Sequence, residues 1–406
     1  MPRLLLLLPA AGYANPDFIA AAARLGIELV ACADYCHRLA PGWGLPPLMS
    51  VPFDQPAAAL PQVLAALKHP VDAVLAVDDH GQALAAQLRV ALNVPGNPPA
   101  AVATLTDKLR FRQLQQAIGL PHPAFAEIGD AGVSTAAAPG FPLVVKARCL
   151  NASRGVIRAD DADQLARALT QVRRIRDRAQ RDRENLMIEA FIPGAEVALD
   201  GVLCGGSLQV LAVFDKPDPL DGPYFEETLF ITPSRLPQAT QRDFADAVAR
   251  ACVAAGVTEG MVHAEACIND AGAWLLEIAP RGIGGLCGRV LDATLGMNSA
   301  EIVLRHAVGL PLPTQANGSA AGVMMIPIPV SGILRGVDGL AAARAVPHIS
   351  GIEITALAGQ LVAPPPEGAG YLGFLFSRAA TPAQAEAALR SAHAALAVRI
   401  QPLVDT

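Results

Sequence analysis

A chain of 406 residues that is 52% hydrophobic and 17% charged has apolar material for two to four packed units and little that reads as disorder. Its net charge of −6, without a basic run or a basic stripe interleaved with aromatics, argues against nucleic-acid binding, and no apolar stretch approaches the ~20 residues needed to span a bilayer. Seven cysteines, at 32, 36, 149, 204, 252, 267 and 287, form no CxxC pair, so neither a disulfide framework nor a zinc site is favoured and a reducing cytoplasm is the natural compartment.

Met1–Ala11 sets one arginine before a five-leucine run and imitates a signal-peptide core, but the run is short and leads straight into a helix pattern. A first strand over Arg3–Leu8 is therefore expected. Helix patterns at Pro16–Leu25, Ala57–Leu67 and Gln82–Leu92 alternate with apolar strands at Ile27–Ala33 and Ala73–Val77, which predicts a parallel sheet covered on both faces. Ligands of such sheets lie at strand C-terminal ends, where Asp78, Asp79 and His80 read either as cleft lining or as solvated loop charge. Gly96-Asn97-Pro98-Pro99 is a turn-rich linker and marks the first boundary.

Asp107 then caps a helix over Lys108–Ile118, with Phe111, Leu114 and Ile118 on one face and Gly119 and Pro121 ending it. From Phe141 to about Pro280 strands and hairpins mix with helices, an α+β pattern. Only four lysines occur, at 68, 108, 146 and 216. Lys146 lies in the apolar strand Leu143–Ala147, where an unpaired ammonium is costly, so an anion is expected beside it. The small-residue loop Asn151–Val156 follows, placed to fold over phosphates. Leu186–Glu196 reads as a strand, a Pro-Gly turn and an acidic residue, offering backbone groups to a purine edge and Glu196 to ribose hydroxyls. Asp215–Thr228 is a proline-punctuated acidic loop, a candidate for closing over an intermediate, in which Glu226 or Glu227 could bind a substrate ammonium.

The most informative stretch is Met261–Arg281. Two β-type runs flank Asp270-Ala271-Gly272, read as a three-residue loop with glycine in the left-handed conformation, and that register sets Glu265 opposite Glu277. Two carboxylates so placed, roughly 4.5–5.5 Å apart at Cβ, repel unless a cation lies between them, and Mg²⁺ favours one or two carboxylates with phosphate oxygens and waters. Trp274, Leu275, Leu276 and Ile278 suggest an interior strand. His263 and Arg281 fall on the same face, His263 reading as an orienting group, a base or a satisfied core histidine, and Gly282–Gly285 after Arg281 exposes N–H groups to an anion. A third segment opens near Leu310-Pro-Leu-Pro313 and closes in a helix introduced by Thr381-Pro382.

The order Asp107-Lys108, Val145-Lys146, Ser153-Arg154-Gly155, Glu189–Glu196, His263-Ala264-Glu265 and Glu277–Arg281 resembles the ATP-grasp superfamily. Within it the chain is most similar to L-amino acid ligases and related carboxylate-amine ligases, its tail Ser331–Leu340 with Gly370–Phe374 resembling their C-terminal domain. The resemblance implies a mixed α/β and α+β multi-domain protein: a Rossmann-like domain over 1–100, an ATP-grasp domain of two subdomains over 101–310, and a small α+β domain over 311–406. It implies an ATP-dependent carbon–nitrogen ligase working through an acyl phosphate, with amino acids as substrates and dipeptides as products. The rivals are a biotin-carboxylase-like or purine-pathway ligase and a non-catalytic ATP-binding regulator. By resemblance, Lys108, Lys146 and Ser153 would meet ATP phosphates, Glu189, Ala190 and Ile192 adenine, and Glu196 ribose. Glu265 and Glu277 would hold Mg²⁺ or Mn²⁺. Catalysis would fall to Arg281, Lys146 and His263, and substrate contacts to Glu226, Glu227, Arg281 and Gly284. Many members carry asparagine two residues after the second metal glutamate, whereas this chain has Ala279. The implied partners are small molecules, with no nucleic acid or membrane, and a homodimer is compatible with the resemblance.

Overall fold

The computed structural model describes residues 1–10, 12–34, 49–129, 139–181, 184–313, 316–368 and 370–403. The opening leucine run is the strand Arg3–Leu8, central in a parallel sheet ordered Met49–Ser50, Glu28–Ala33, Arg3–Leu8, Ala73–Ala76. Both faces are covered, which is why the strand is apolar throughout instead of alternating. Leu5 and Leu7 pack with Val63, Leu84 and Leu88 from the helices Pro56–Ala66 and Gln82–Leu92. Leu4, Leu6 and Leu8 meet Phe18 and Ala22 of the helix Asn15–Leu25 and Leu304 of the distant helix Ser299–Ala307. At ~1.5–3 kcal/mol per buried leucine, this run anchors the N-terminal third.

A second sheet, four-stranded and antiparallel, is ordered Phe125–Ile128, Leu186–Ala190, Leu143–Ala147, Val156–Ala159. The helix Ala162–Arg178 backs it through Ala168, Val172 and Ile175.

The largest sheet has eight antiparallel strands. Its order is Gly272–Ala279, Gly260–Asn269, Ala195–Cys204, Ser207–Asp215, Leu229–Thr232, Ala320–Ile326, Gly373–Ala379, Ile349–Ile354. One face packs on the helix Gln238–Ala255 through Phe244, Val248 and Ala251. A three-stranded sheet of Leu361–Val362, Gly332–Asp338 and Ala397–Gln401 completes the C-terminal part, together with the helix Pro382–Ala394, whose Thr381 side chain accepts from the Gln384 N–H as the cap expected from sequence.

Two expectations are corrected here. Gly272–Ala279 is the edge strand of its sheet, not an interior one. Leu275 and Ile278 are nonetheless buried against the flanking helices, and the Leu275 carbonyl accepts from Arg112 Nη1 at 3.1 Å and Gln115 Nε2 at 3.1 Å, a side-chain closure of an otherwise open ladder. The hairpin turn holds two residues, not three, since Asn269 pairs with Gly272, whose φ is +113°. That register alone would set Glu265 against Leu276. A β-bulge at Leu276 shifts the ladder by one and restores Glu265 opposite Glu277, so the expected pairing holds for a different reason.

Candidate active site

Between the four-stranded sheet, the hairpin and the C-terminal ends of the parallel strands lies a cavity of about 910 Å³. Lys108, Lys146, Ser153, Glu189, Ala190, Ile192, Glu196, Glu227, His263, Glu265, Glu277, Arg281 and Gly284 all line it. Glu226 does not, although its neighbour Glu227 does.

Asp107 caps the helix Lys108–Ala117 by accepting from the N–H groups of Leu109 at 2.9 Å and Arg110 at 3.3 Å, which points Lys108 outward from the first turn. Lys108 Nζ donates to the Leu150 carbonyl at 2.6 Å and stands 3.6 Å from Glu277 Oε2. Leu150 is the root of the expected phosphate loop, in which Ala152 and Ser153 both have φ of +52° and Gly155 +69°. The Arg154 and Val156 N–H groups donate inside the loop, to the Asn151 and Ser153 carbonyls, which leaves those of Ala152, Ser153 and Gly155 without a backbone partner among the described residues and open to an anion.

Lys146 does find an anion: its Nζ lies 2.5 Å from Glu189 Oε1. Glu189 sits diagonally across the ladder, opposite Val144, on the same face. Its other oxygen accepts from Arg112 Nε at 2.7 Å, and Arg112 itself is 1% exposed. Burial alone would push the Glu189 carboxyl up, but Arg112 and Lys146 outweigh it and hold the group at about 2. Burial in turn pulls Lys146 below its ordinary value, partly offset by Glu189.

Glu265 and Glu277 face each other as register partners. Glu265 is half-buried between cations: Lys216 Nζ donates to it at 3.3 Å and His263 Nε2 lies at 3.2 Å. Burial raises its pKa, and Lys216 and His263 more than reverse this. Glu277 accepts no hydrogen bond from a described residue and leaves its oxygens toward the cavity. Among the described residues no group of three or more His, Cys, Asp or Glu converges as a metal cage. Two opposed carboxylates beside a phosphate loop instead fit a magnesium ion that completes its shell with phosphate oxygens and water. Ala279, opposite His263, adds no ligand.

His263 is buried. Its Nδ1 lies 2.8 Å from Asp200 Oδ1, on the residue directly opposite it in the ladder. Burial would lower its pKa, but Asp200 and then Glu265 raise it to about 9, so at neutral pH the ring is protonated. This geometry suits an orienting group, not a base.

Arg281 ends the edge strand, and its Nε donates to Asp79 Oδ1 at 2.8 Å. Asp79 also accepts from Asn151 Nδ2 at 3.2 Å, so the parallel sheet, the phosphate loop and the hairpin meet at one residue. Asp78 and Asp79 are therefore cleft lining, not solvated loop charge. Glu196 follows the Pro-Gly turn, near the start of the strand Ala195–Cys204, and accepts from Lys216 at 2.9 Å. Lys216 also donates to Glu227 at 2.5 Å. Burial and then Glu265 push Glu227 upward, partly opposed by Lys216.

Sequence reasoning missed Arg112, Asp200 and the part played by Lys216. An arginine in an amphipathic helix carries no mark of burial. Asp200 did carry one, an aspartate inside the apolar run Val197–Leu203, and so did Lys216 as one of four lysines in the chain.

Comparisons with known proteins fit this geometry. Residues 139–290 match the family described as ATP-grasp domain, and residues 324–401 match L-amino acid ligase C-terminal domain 2. The chain therefore contains an ATP-grasp domain over residues 139–290 and, over residues 324–401, a domain of the L-amino acid ligase C-terminal type. The crystal structure of L-amino acid ligase from Bacillus licheniformis superposes with a TM-score of 0.86 at 24% identity, over 99% of both chains, which shows the shared fold. Carnosine synthase 1 of Gallus gallus is 31% identical over 286 residues, 65% of this chain and 30% of that protein. D-alanine–D-alanine ligase of Pseudomonas putida is 31% identical over 196 residues, 46% of this chain and 58% of that protein. The chain thus spans less than two thirds of either relative's length.

Proposed function

We propose that the chain is an ATP-dependent carboxylate-amine ligase that joins amino acids through an acyl phosphate and releases ADP and phosphate. The observation that carries this reading is the opposition of Glu265 and Glu277 across the hairpin, in a cavity shared with Lys108, Lys146 and Arg281. Magnesium held by these two glutamates would supply neutralisation of the phosphate charge. Lys108 and Lys146 bind the triphosphate from the sheet side, and the backbone of Ala152–Gly155 receives it from above.

Glu189 holds Lys146 in place, its two oxygens being taken by Lys146 and Arg112, while the backbone of Ala190 and Ile192 offers the adenine contacts and Glu196 the ribose contact. The donor carboxylate attacks the γ-phosphorus, and Arg281 with the amides of Gly282–Gly285 steadies the acyl phosphate. Protonated His263 fixes Glu265. Of the acidic loop, Glu227 lines the cavity and is the residue proposed to take the donor ammonium, while Glu226, whose Oε1 is buried without a partner, lies outside the cavity lining. Amino acids are proposed as substrates because the names of the similar proteins include an L-amino acid ligase and a ligase of D-alanine to D-alanine. Six free cysteines among the described residues fit work in a reducing cytoplasm, Cys36 lying outside those residues, and no helix in them is long and apolar enough to cross a membrane.

The test is phosphate release over a panel of amino-acid pairs, with Glu277→Gln as the blank. Release should require two amino-acid components and be indifferent to bicarbonate. Turnover with bicarbonate alone, or tight ATP binding without ADP formation across the whole panel, would sink the reading.

A further inference from the structure

The wall that the parallel sheet presents to the cavity holds a carboxylate that the proposed mechanism leaves unused. Asp78 follows the strand Ala73–Ala76 at its C-terminal end, the side on which open parallel sheets receive ligands. One of its oxygens, Oδ1, accepts from the His80 N–H at 3.0 Å. Among the described residues no lysine, arginine or histidine side chain forms an ion pair with it. Its neighbour differs in this respect. Asp79 is occupied by Arg281 at 2.8 Å and Asn151 at 3.2 Å, so a cation entering beside Arg281 would find Asp79 taken and Asp78 open.

A carboxylate removed from water without a cation is unfavourable. Burial, and then the charge of Asp79, push Asp78 up to about 6, with Arg281 and His80 opposing. Asp78 thus lines the cavity half-buried, with one oxygen on the His80 N–H and the other open to a cation. Its place defines which charge fits. Arg281 is the group proposed to steady the acyl phosphate, and Asp78 is adjacent in the chain to the residue that holds Arg281. The second substrate of a ligase must bring a nitrogen to within ~3–3.5 Å of the acyl carbon, and an amine arrives at neutral pH as an ammonium ion. The donor's own ammonium has the Glu226–Glu227 loop.

We propose that Asp78 anchors the acceptor amine: its free oxygen takes the ammonium group of the second substrate and accepts one of its protons, so that the neutral nitrogen attacks the acyl carbon, the bond from that carbon to the phosphate oxygen breaks, and inorganic phosphate leaves with the second proton lost by the nitrogen. This rests on the ligase reading and assigns the chemistry of its second substrate: a small primary amine, such as the α-ammonium of an amino acid, approaching from the parallel-sheet wall.

Asp78→Asn removes the charge and keeps an oxygen for the His80 N–H, so the local turn survives. Steady-state kinetics would use glycinamide, which lacks a carboxylate and can serve only as acceptor, with the best amino-acid donor from the panel. The variant should raise the glycinamide KM about tenfold or more and leave the donor KM within about twofold, the loss expected for a hydrogen bond to a charged group. Asp78→Glu, which restores the charge, should recover at least half of that effect on a logarithmic scale. An unchanged glycinamide KM, or donor and acceptor KM values rising together, would overturn the assignment while wild-type turnover keeps the ligase reading intact. Absence of wild-type turnover with every donor would overturn both.

Discussion

Arg112 sits where three cavity-lining elements meet. It lies on the helix that Lys108 begins, it clasps Glu189 on the strand beside Lys146, and it donates to the Leu275 carbonyl on the strand that carries Glu277. A guanidinium fork makes all these contacts at fixed angles, which an ammonium cannot do. Arg112→Lys is therefore expected to raise the KM for ATP at least about tenfold, and Arg112→Met to lower stability by ~3–5 kcal/mol by stranding Glu189. An ATP KM unchanged in Arg112→Lys would refute the positioning role. The Glu189 contact also sets a pH dependence. Its folded-state value of about 2 lies below the ordinary 4.5, so the pair contributes fully above about pH 4.5 and is lost as pH falls toward 2. The contribution is about 3 kcal/mol. Comparing urea midpoints of the wild type and Glu189→Gln should show a gap that is widest at pH 7 and narrower at pH 3; a gap indifferent to pH would contradict this account. Glu277 is a third exposed and supports little packing, so Glu277→Gln should cut ADP formation at least about a hundredfold while leaving the circular dichroism spectrum unchanged.

The hairpin shows how far pattern reading reaches at the scale of an element. Alternation and a glycine turn predicted the opposed glutamates, but only because a turn read one residue too long offset a bulge that the pattern does not show. The bulge was not legible, since a single extra leucine in an apolar run leaves no mark. Yet it is the bulge that lets Leu275 and Ile278 both reach the core while Leu276 and Glu277 both line the cavity. Three of the four parallel strands were legible nearly to the residue because an apolar run bounded by helix patterns has few alternatives, whereas the two-residue strand Met49–Ser50 is too short to carry a pattern. The acidic loop Asp215–Thr228 was recognised as a loop, but its docking was not. Arg158 packs 4.2 Å above the Phe191 ring, Phe191 stacks on Phe225 with centroids 6.4 Å apart, and Arg158 donates to the Asp221 carbonyl at 2.7 Å. These contacts tie the loop bearing Glu227 to the four-stranded sheet that lines the cavity. An aromatic pair is worth ~1 kcal/mol, so Phe225→Ala should raise ADP release uncoupled from amide formation about fivefold. Tight coupling in that variant would show that the stack does not hold the loop closed.

Across the whole molecule, Arg289 reaches Asp17 at 2.7 Å and also pairs with Glu353, joining a helix of the parallel-sheet part to a strand of the C-terminal part. The cleft is therefore braced from both ends before any ligand enters. Magnesium and ATP at a hundred times their dissociation constant should stabilise the fold by about 2.7 kcal/mol, read as a rise in the apparent unfolding temperature. Glu277→Gln should lose more than half of that rise; an equal rise in the variant would mean that the hairpin does not meet the bound nucleotide.

The eight-stranded sheet passes without a break from the hairpin that carries Glu265 and Glu277 to the strands Ala320–Ile326, Gly373–Ala379 and Ile349–Ile354. Grafting the last quarter of this chain onto another ligase would therefore not resemble exchanging a detachable module. The cut would pass between Leu229–Thr232 and Ala320–Ile326 and leave two raw ladder edges, whose residue-by-residue pairing would have to be rebuilt before the chimaera could fold.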